Sequence, residues 1–380
     1  LAHALTATAA DALLTDQPER IDGLGLGFVR AGQWNGLAFM QRQTAAARLP
    51  AGTAKVSFTS GSTGSPKGVC LSAAGLLATA SALTARLADI PVGRHLAVLP
   101  LALLLENVAG IHAPLLRGAE VILPPLPKLG WRGMAGFDPE ALQGAAAAAS
   151  AHSLILVPEL LKAWTQYLAA RGQPAPAGLQ FVAVGGARVD QTLLAHARAL
   201  GLPVYQGYGL TECGSVVSLN RPGDDGAGVG RPLDHVVVRV EDGELRVATQ
   251  AFLGYLGDAA SDAPHGSQGG FATGDLGHLD GDGHLHLSGR RKHLLITSYG
   301  RNIAPEWIEA VLLAQPEIAQ AVVAGESRPW LNGVLVPAPG VDAAGLARAV
   351  ARANAALPDY ARIGGWIDVP AFTPQNGQAT

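Results

Sequence analysis

The chain has 380 residues, 48% of them hydrophobic and only 15% charged, which suffices to bury the cores of two globular domains. A net charge of −3 without a basic stripe removes the electrostatic grip that polyanions need, so no nucleic-acid partner is expected. Cys70 and Cys213 stand far apart with no Cys or His at ligand spacing; this excludes a disulfide framework and a zinc site and fits a reducing, cytoplasmic setting.

The opening stretch, LAHALTATAADALLTDQPERI, lacks the basic, apolar and cleavage regions of a signal peptide. Two strand-like runs, AKVSF and GVCLS, then flank the stretch FTSGSTGSPKGV (58–69). The segment HLAVLPLALLLENVAGIHAPLL (95–116) raises a membrane question, but Pro100, Glu106, Asn107 and Gly110 interrupt it within the length a bilayer requires. It reads as a buried strand passing into a core helix, and no transmembrane segment is expected. Candidate strands at 95–101, 119–123, 153–157, 179–186 and 202–209 alternate with helical stretches at 139–152, 158–171 and 190–200. Few charges fall within the strands, the pattern of an α/β sheet covered on both faces.

From about residue 227 the texture changes. VVVRVEDGELRVAT (236–249) alternates like a hairpin turned at Asp242-Gly243, and 277–289 repeats the device through Gly281–Gly283. After Arg290 come LLIT, an amphipathic helix beginning after Pro305, a strand AQAVVAGE, and a later helix and strand. The expected organisation is an N-terminal domain over 1–290, with a small β-rich subdomain at about 227–289, and an α+β C-terminal domain over 291–380.

In the stretch 58–69, glycines let backbone N–H groups turn toward one centre, the hydroxyls add donors, and Lys67 adds a mobile cation. Such a loop suits a polyphosphate. A Ser/Gly linker has no reason to sit between two apolar runs, and the Walker A pattern fails because Lys67 follows Pro66 and precedes Gly68.

The stretch resembles the phosphate loop of the adenylate-forming (AMP-binding) enzymes: acyl-CoA synthetases, the adenylation domains of peptide synthetases, and luciferases. Further stretches match in the family's order, namely FVAVGGARV (181–189), YQGYGLTECGSVVSLN (205–220), VGRPL (229–233) and TGDLGHLDGDGHLHLSGRRKHLLITSYGRNIAPEWIE (273–309). The resemblance implies the adenylate-forming fold, a layered α/β N-terminal domain with a small β subdomain and a mobile C-terminal cap. It also implies roles. Thr59, Ser60, Gly61, Ser62, Thr63, Gly64 and Lys67 would cradle the ATP phosphates, and Gly185, Gly186 and Ala187 would floor the adenine and acyl pockets. Within Gln206, Gly207, Tyr208 and Gly209, the tyrosine ring would lie on adenine while its flanking glycines let the ligand approach the backbone. Thr211 would donate to a phosphate, and Glu212 would supply a hard oxygen to Mg²⁺. Asp275 would accept the ribose hydroxyls, Arg290 would reach ribose or phosphate, Lys292 would be the hinge, and Gly300 would line the path of the thiol. At Gly300, glycine is required only if the pantetheine arm passes against the backbone.

The implied reaction has two halves. A carboxylate attacks the α-phosphate of ATP to give an acyl-adenylate and pyrophosphate; the thiol of CoA or of a phosphopantetheine arm then displaces AMP. No side-chain nucleophile is needed, so Cys70 and Cys213 read as small packing residues. The nearest branch resembles the long-chain acyl-CoA synthetases, from GYGLTEC, ITSYGRNIAPEWIE and FTPQNGQAT (372–380). Three departures stand out. Only 58 residues precede Thr59, where the family usually carries a longer segment, so part of one N-terminal subdomain is expected to be missing or reduced. Leu103 stands where the branch has histidine, and His293 where the hinge motif often has an acid. The lysine that activates the carboxylate would fall just past Thr380, or be replaced by Gln378. The expected function is an acid–thiol ligase acting on a small-molecule fatty or aryl acid. The alternatives are an acyl-AMP ligase loading an acyl carrier protein and a catalytically silent nucleotide-binding homologue.

Overall fold

Five parallel strands, Arg94–Leu96, Glu120–Ile122, Ser153–Leu156, Phe181–Val184 and Val204–Tyr208, form the central sheet of the computed structural model, which describes residues 1–59, 66–133, 136–224, 228–257 and 270–373. Across the sheet, 120–122 lies at one edge, followed by 94–96, 153–156, 181–184 and 204–208; the short antiparallel strands Ser218–Leu219 and Arg231–Pro232 complete the far side. The chain therefore starts inside the sheet at 94–96, moves out to the edge, and returns to the other side of its first strand. Such a reversal of strand order opens a crevice at the carboxyl ends of the strands, here between 94–96 and 153–156.

The strand Ser153–Leu156 is buried along its whole length, as the uncharged run SLIL requires. Helices Pro139–Ala148 and Pro158–Arg171 cover one face with Leu142, Leu161, Leu168 and the fully buried Trp164. Asp138 caps the first helix through the Glu140 amide, and Trp164 satisfies its indole N–H on Gln143 at 2.8 Å. On the other side, helix Ala73–Arg86 packs with Val69, Leu71 and Phe252 in a second core.

One expected strand is shorter than its apolar run. Over 95–101 the ladder ends at Leu96, because Pro100 has no N–H to give and the chain turns toward a π-helix at Glu106–His112, continued as an α-helix over Ala113–Leu116. The 236–249 hairpin turns where expected: Asp242 and Gly243 both take positive φ (50° and 76°), the type I′ geometry that matches strand twist. Strands 237–241, 244–248, 271–279 and 285–290 make a four-stranded antiparallel sheet. Phe252–Tyr255, although within the same stretch of chain, pairs instead with Lys67–Ser72, which in turn pairs with Thr53–Thr59. The first residues add a helix, Ala2–Ala7, and a small sheet of strands 12–15, 29–34 and 37–41.

Beyond Arg290, helix Pro305–Leu313 begins with proline at its first position, and helix Ala343–Ala355 joins it over a sheet of strands 318–324, 331–337 and 363–368. Ile308, Leu312, Leu335, Leu346 and Val350 form a core of their own. Lys162, from the helix over 158–171, donates to the carbonyls of Gln315 and Ile318 at 2.8 and 2.6 Å. Burial there pushes its ammonium down to about 8. Among the described residues, no helix is long and apolar enough to cross a membrane.

His235 pins the start of the β-rich region to the helix over 73–86: its Nε2 lies 3.0 Å from the Thr79 hydroxyl. Desolvation pushes this imidazole down to about 4, against a weaker pull from Asp234. Between about pH 4 and 6.5 the unfolded chain thus binds more protons at this position than the folded one, so stability is lost as pH falls through that window. His235→Gln is expected to flatten that part of a plot of Tm against pH, measured by scanning calorimetry; an unchanged slope would contradict the assignment.

Candidate active site

The carboxyl ends of the parallel strands border a cavity of about 830 Å³. Leu99 and Val157, which follow the two strands at the reversal point, both line it, and so do Gly185 and Gly186 after 181–184 and Tyr208 at the end of 204–208. The antiparallel pair 53–59 and 67–72 brings Thr59 opposite Lys67 in register, and both reach the same cavity. Ser60, Gly61, Ser62, Thr63 and Gly64 lie outside the described residues.

Thr211 and Glu212, on a 3₁₀ turn directly after the strand over 204–208, border the cavity, and Arg290 and Lys292 close it from the far side. Asp275 sits just behind this lining, 7% exposed. Its two oxygens accept from the Tyr208 hydroxyl and from Arg290 Nε, each at 2.7 Å. Burial, then the charge and hydrogen bond of Asp275, push the Tyr208 phenol far above its ordinary range, keeping it a donor. Burial works against the Arg290 charge, but its hydrogen bond and attraction to Asp275 prevail and raise its pKa. The Tyr208 ring also packs against apolar clusters that include Val217 beside the central sheet and Val247 and Leu285 of the β-rich region, which holds it at the cavity edge.

Two side chains at the site had not been singled out. Tyr255 donates its hydroxyl to Glu212 Oε1 at 3.0 Å, and Lys67 Nζ lies 5.2 Å from the centroid of the same ring. One aromatic residue thus orients the carboxylate and offers the lysine a cation–π seat. Glu244 accepts from the Gly274 amide at 2.9 Å and pairs with Arg291 at 3.2 Å, steadying the irregular register of the strand before Asp275. Tyr255 falls in a strand whose pairing is nonlocal, and the partners of Glu244, Gly274 and Arg291, lie far along the chain from it, so no local motif points to either residue.

Other expected residues sit differently. Gln206 is buried within the sheet, Ala187 is exposed, and neither borders the cavity. The space beside Gly209 is filled by protein: a Cβ there would lie 1.6 Å from the Ser215 carbonyl oxygen, and one on Gly207 would meet Ser218 O at 3.0 Å. Both glycines border the cavity, and on the side where a Cβ would point they let the chain approach itself closely. Gly300 is exposed and lies away from the cavity lining; its φ of +72° already favours glycine, without any passing arm. Lys292 stands exposed on the 3₁₀ turn 291–293, and His293 beside it bonds Glu306 at 2.5 Å. Cys70 and Cys213 are both fully buried, and desolvation raises each thiol's pKa.

A family model described as AMP-binding enzyme matches residues 3–255. The chain belongs to this adenylate-forming family. It is 38% identical over 154 residues to a long-chain-fatty-acid–CoA ligase of Mycobacterium bovis, covering 40% of this chain and 26% of that ligase. It is 30% identical over 293 residues to a 2-succinylbenzoate–CoA ligase of Bacillus velezensis, covering 73% and 56%. The structure of o-succinylbenzoate CoA synthetase from Bacillus subtilis in complex with the acyl-adenylate intermediate OSB-AMP superposes with a TM-score of 0.70 at 24% identity, over 94% of this chain and 72% of that one; it shares the fold. The chain thus spans from about a quarter to just over half the length of the curated relatives it matches.

Asp275→Asn removes the charge that Arg290 pairs with and leaves one acceptor oxygen where Tyr208 and Arg290 now have two. Titration calorimetry with AMP is expected to show a Kd raised by about tenfold or more, the scale of one lost charge-assisted bond; affinity within twofold of the parent would contradict the geometry described.

Proposed function

We propose that this chain carries the nucleotide site of an ATP-dependent acid–thiol ligase, joining a fatty or aryl carboxylic acid to CoA through an acyl-adenylate. The observation that carries the proposal is the composition of a single cavity. Thr59, Lys67, Tyr208, Thr211, Glu212 and Arg290 border it together, while every lining residue between 83 and 109 is apolar: Leu83, Leu99, Leu103, Leu104, Leu105 and Ala109. Polar groups suited to a nucleotide and a wall suited to an apolar acid share one enclosure.

In this reading Lys67, Thr59 and Thr211 meet the phosphates. As a carboxylate oxygen forms its bond to the α-phosphorus and the bond to the pyrophosphate oxygen breaks, these residues stabilise the growing negative charge, the requirement of phosphoryl and nucleotidyl transfer. Tyr208 borders the purine, and the Asp275–Arg290 pair faces the ribose. Glu212, held by Tyr255 through one oxygen, keeps lone pairs for a cation, and no cluster of three or more potential ligands occurs among the described residues. That donor set fits Mg²⁺, which takes one or two carboxylates plus phosphate oxygens and supplies charge neutralisation there. In the second half the thiol sulfur attacks the acyl carbon and AMP leaves.

The leucine-rich wall supports an acid with one carboxylate. A second carboxylate placed against the buried Leu99 and Leu104 would lose its hydration without gaining a cation from them, so the wall favours an acid that is apolar beyond its reacting carboxylate. The acceptor is CoA or the same arm on a carrier protein, in a cytoplasmic setting. ATP-dependent hydroxamate formation with a panel of acids is expected to respond to fatty or aromatic acids, and Lys67→Ala to lower the rate by about 10²-fold or more. Turnover confined to amino acids would contradict the reading, and free CoA compared with a holo carrier protein separates the two acceptors.

A further inference from the structure

The run LPLALLLENVAG is apolar except at Glu106 and Asn107, and Glu106 does not reach solvent: its exposure is 0%. A carboxylate so placed is costly unless its bonds are made, and Glu106 makes them on two sides. Its Oε2 accepts from the Leu99 amide at 2.9 Å, and its Oε1 lies 3.2 Å from His95 Nε2. The imidazole continues the chain through Nδ1 to the Ser153 hydroxyl at 2.8 Å. His95 and Ser153 are register partners on the two strands that flank the reversal of strand order, so the network is rooted between those strands. Gly110, four residues on, leaves the space that the carboxylate occupies: a Cβ there would lie 1.9 Å from Glu106 Oε1 and 2.9 Å from His95 Nε2. The π-helix of Glu106–His112, a widened turn of the kind found at functional sites, opens at this residue.

We propose that Glu106 is the positioning residue for acid selection, tying the leucine-rich wall of the cavity to the central strands from behind. The proposal rests on the ligase reading above. Glu106 closes the segment 99–106 into a loop by binding its first amide, and that loop contributes Leu99, Leu103, Leu104 and Leu105 to the lining, with Ala109 one turn further. Apolar contacts alone let such a wall slide, because they have no direction. Two directional bonds to a buried carboxylate hold it at one depth. The distance from the reacting carboxylate to the wall then sets which length of acid fits, and Glu106 governs it without touching the acid.

The test uses the full chain and a series of straight-chain and aryl acids of increasing length, with KM for acid and for ATP measured separately. Glu106→Ala is expected to raise KM for the preferred acid by about tenfold or more and to flatten the dependence on length, leaving KM for ATP within about twofold. Glu106→Gln, which still accepts from Leu99, is expected to stay within about threefold of the parent. Gly110→Ala drives a methyl into the carboxylate and is expected to flatten the profile as Glu106→Ala does. The pair Glu106→Ala with Gly110→Ala, where that methyl fills the vacated space, is expected to have a higher Tm than Gly110→Ala alone. A length profile parallel to the parent's in both Glu106→Ala and Gly110→Ala, a KM for ATP that rises in step with that for acid, or no gain in the double variant would overturn the role of Glu106. A parent chain that turns over no acid would instead defeat the ligase reading itself.

Discussion

One buried carboxylate joins the parts on which the site depends. Asp275 lies on a strand of the β-rich sheet, yet it accepts from Tyr208 at the end of the parallel sheet and from Arg290 at the threshold of the C-terminal region. The paired strands 271–279 and 285–290 and the distant end of 204–208 thereby share one charge, and each bond is strengthened because water is excluded. Loss of this contact would leave Tyr208 without orientation and Arg290 without a reason to face the cavity. Lys162 plays a complementary part farther off, bonding carbonyls of the C-terminal region from the central helix layer, so that Lys292 and His293 come to the cavity from a region held at both ends.

Around this clasp the cavity divides its labour by residue type. The strand ends contribute backbone and small residues at Gly185 and Gly186, the 53–72 hairpin contributes Thr59 and Lys67, and the 99–109 segment contributes leucine and alanine. Tyr255 couples two of these sets, because its hydroxyl orients Glu212 and its ring lies near Lys67. The parallel order of the sheet explains the convergence: each strand delivers its carboxyl end, and the residues after it, to the same rim.

Much of this organisation is legible in the residues themselves. Uncharged runs such as SLIL and FVAV mark strands covered on both faces, and Asp242-Gly243 announces its turn because both positions require positive φ. The cavity-lining residues Lys67, Tyr208, Glu212 and Arg290 are legible because their motifs are local and ordered along the chain. What local pattern does not carry is pairing across distance. The strand 252–255 leaves the β-rich sheet for the 67–72 strand, so Tyr255 is invisible as a partner of Glu212 until the two are folded together. The strand 331–337 is broken in texture by Asn332 and Gly333 and does not stand out in LNGVLVP. Glu106 and Gly110 read only as interruptions of an apolar run, since a carboxylate inside a core becomes intelligible when His95 and the Leu99 amide are seen beside it. The glycines at 207 and 209 border the cavity, but their close approach to Ser218 and Ser215 on the side a Cβ would occupy is not legible in the motif.

The account turns on one nucleotide spanning the cavity from the Thr59–Lys67 hairpin to Tyr208. A crystal structure of the chain with AMP tests this directly. The account predicts a purine beside the Tyr208 ring, a ribose facing Asp275 and Arg290, and a phosphate within reach of Thr59, Lys67 or Thr211. Nucleotide bound away from these residues, or a phosphate directed at the leucine-lined wall, would contradict it.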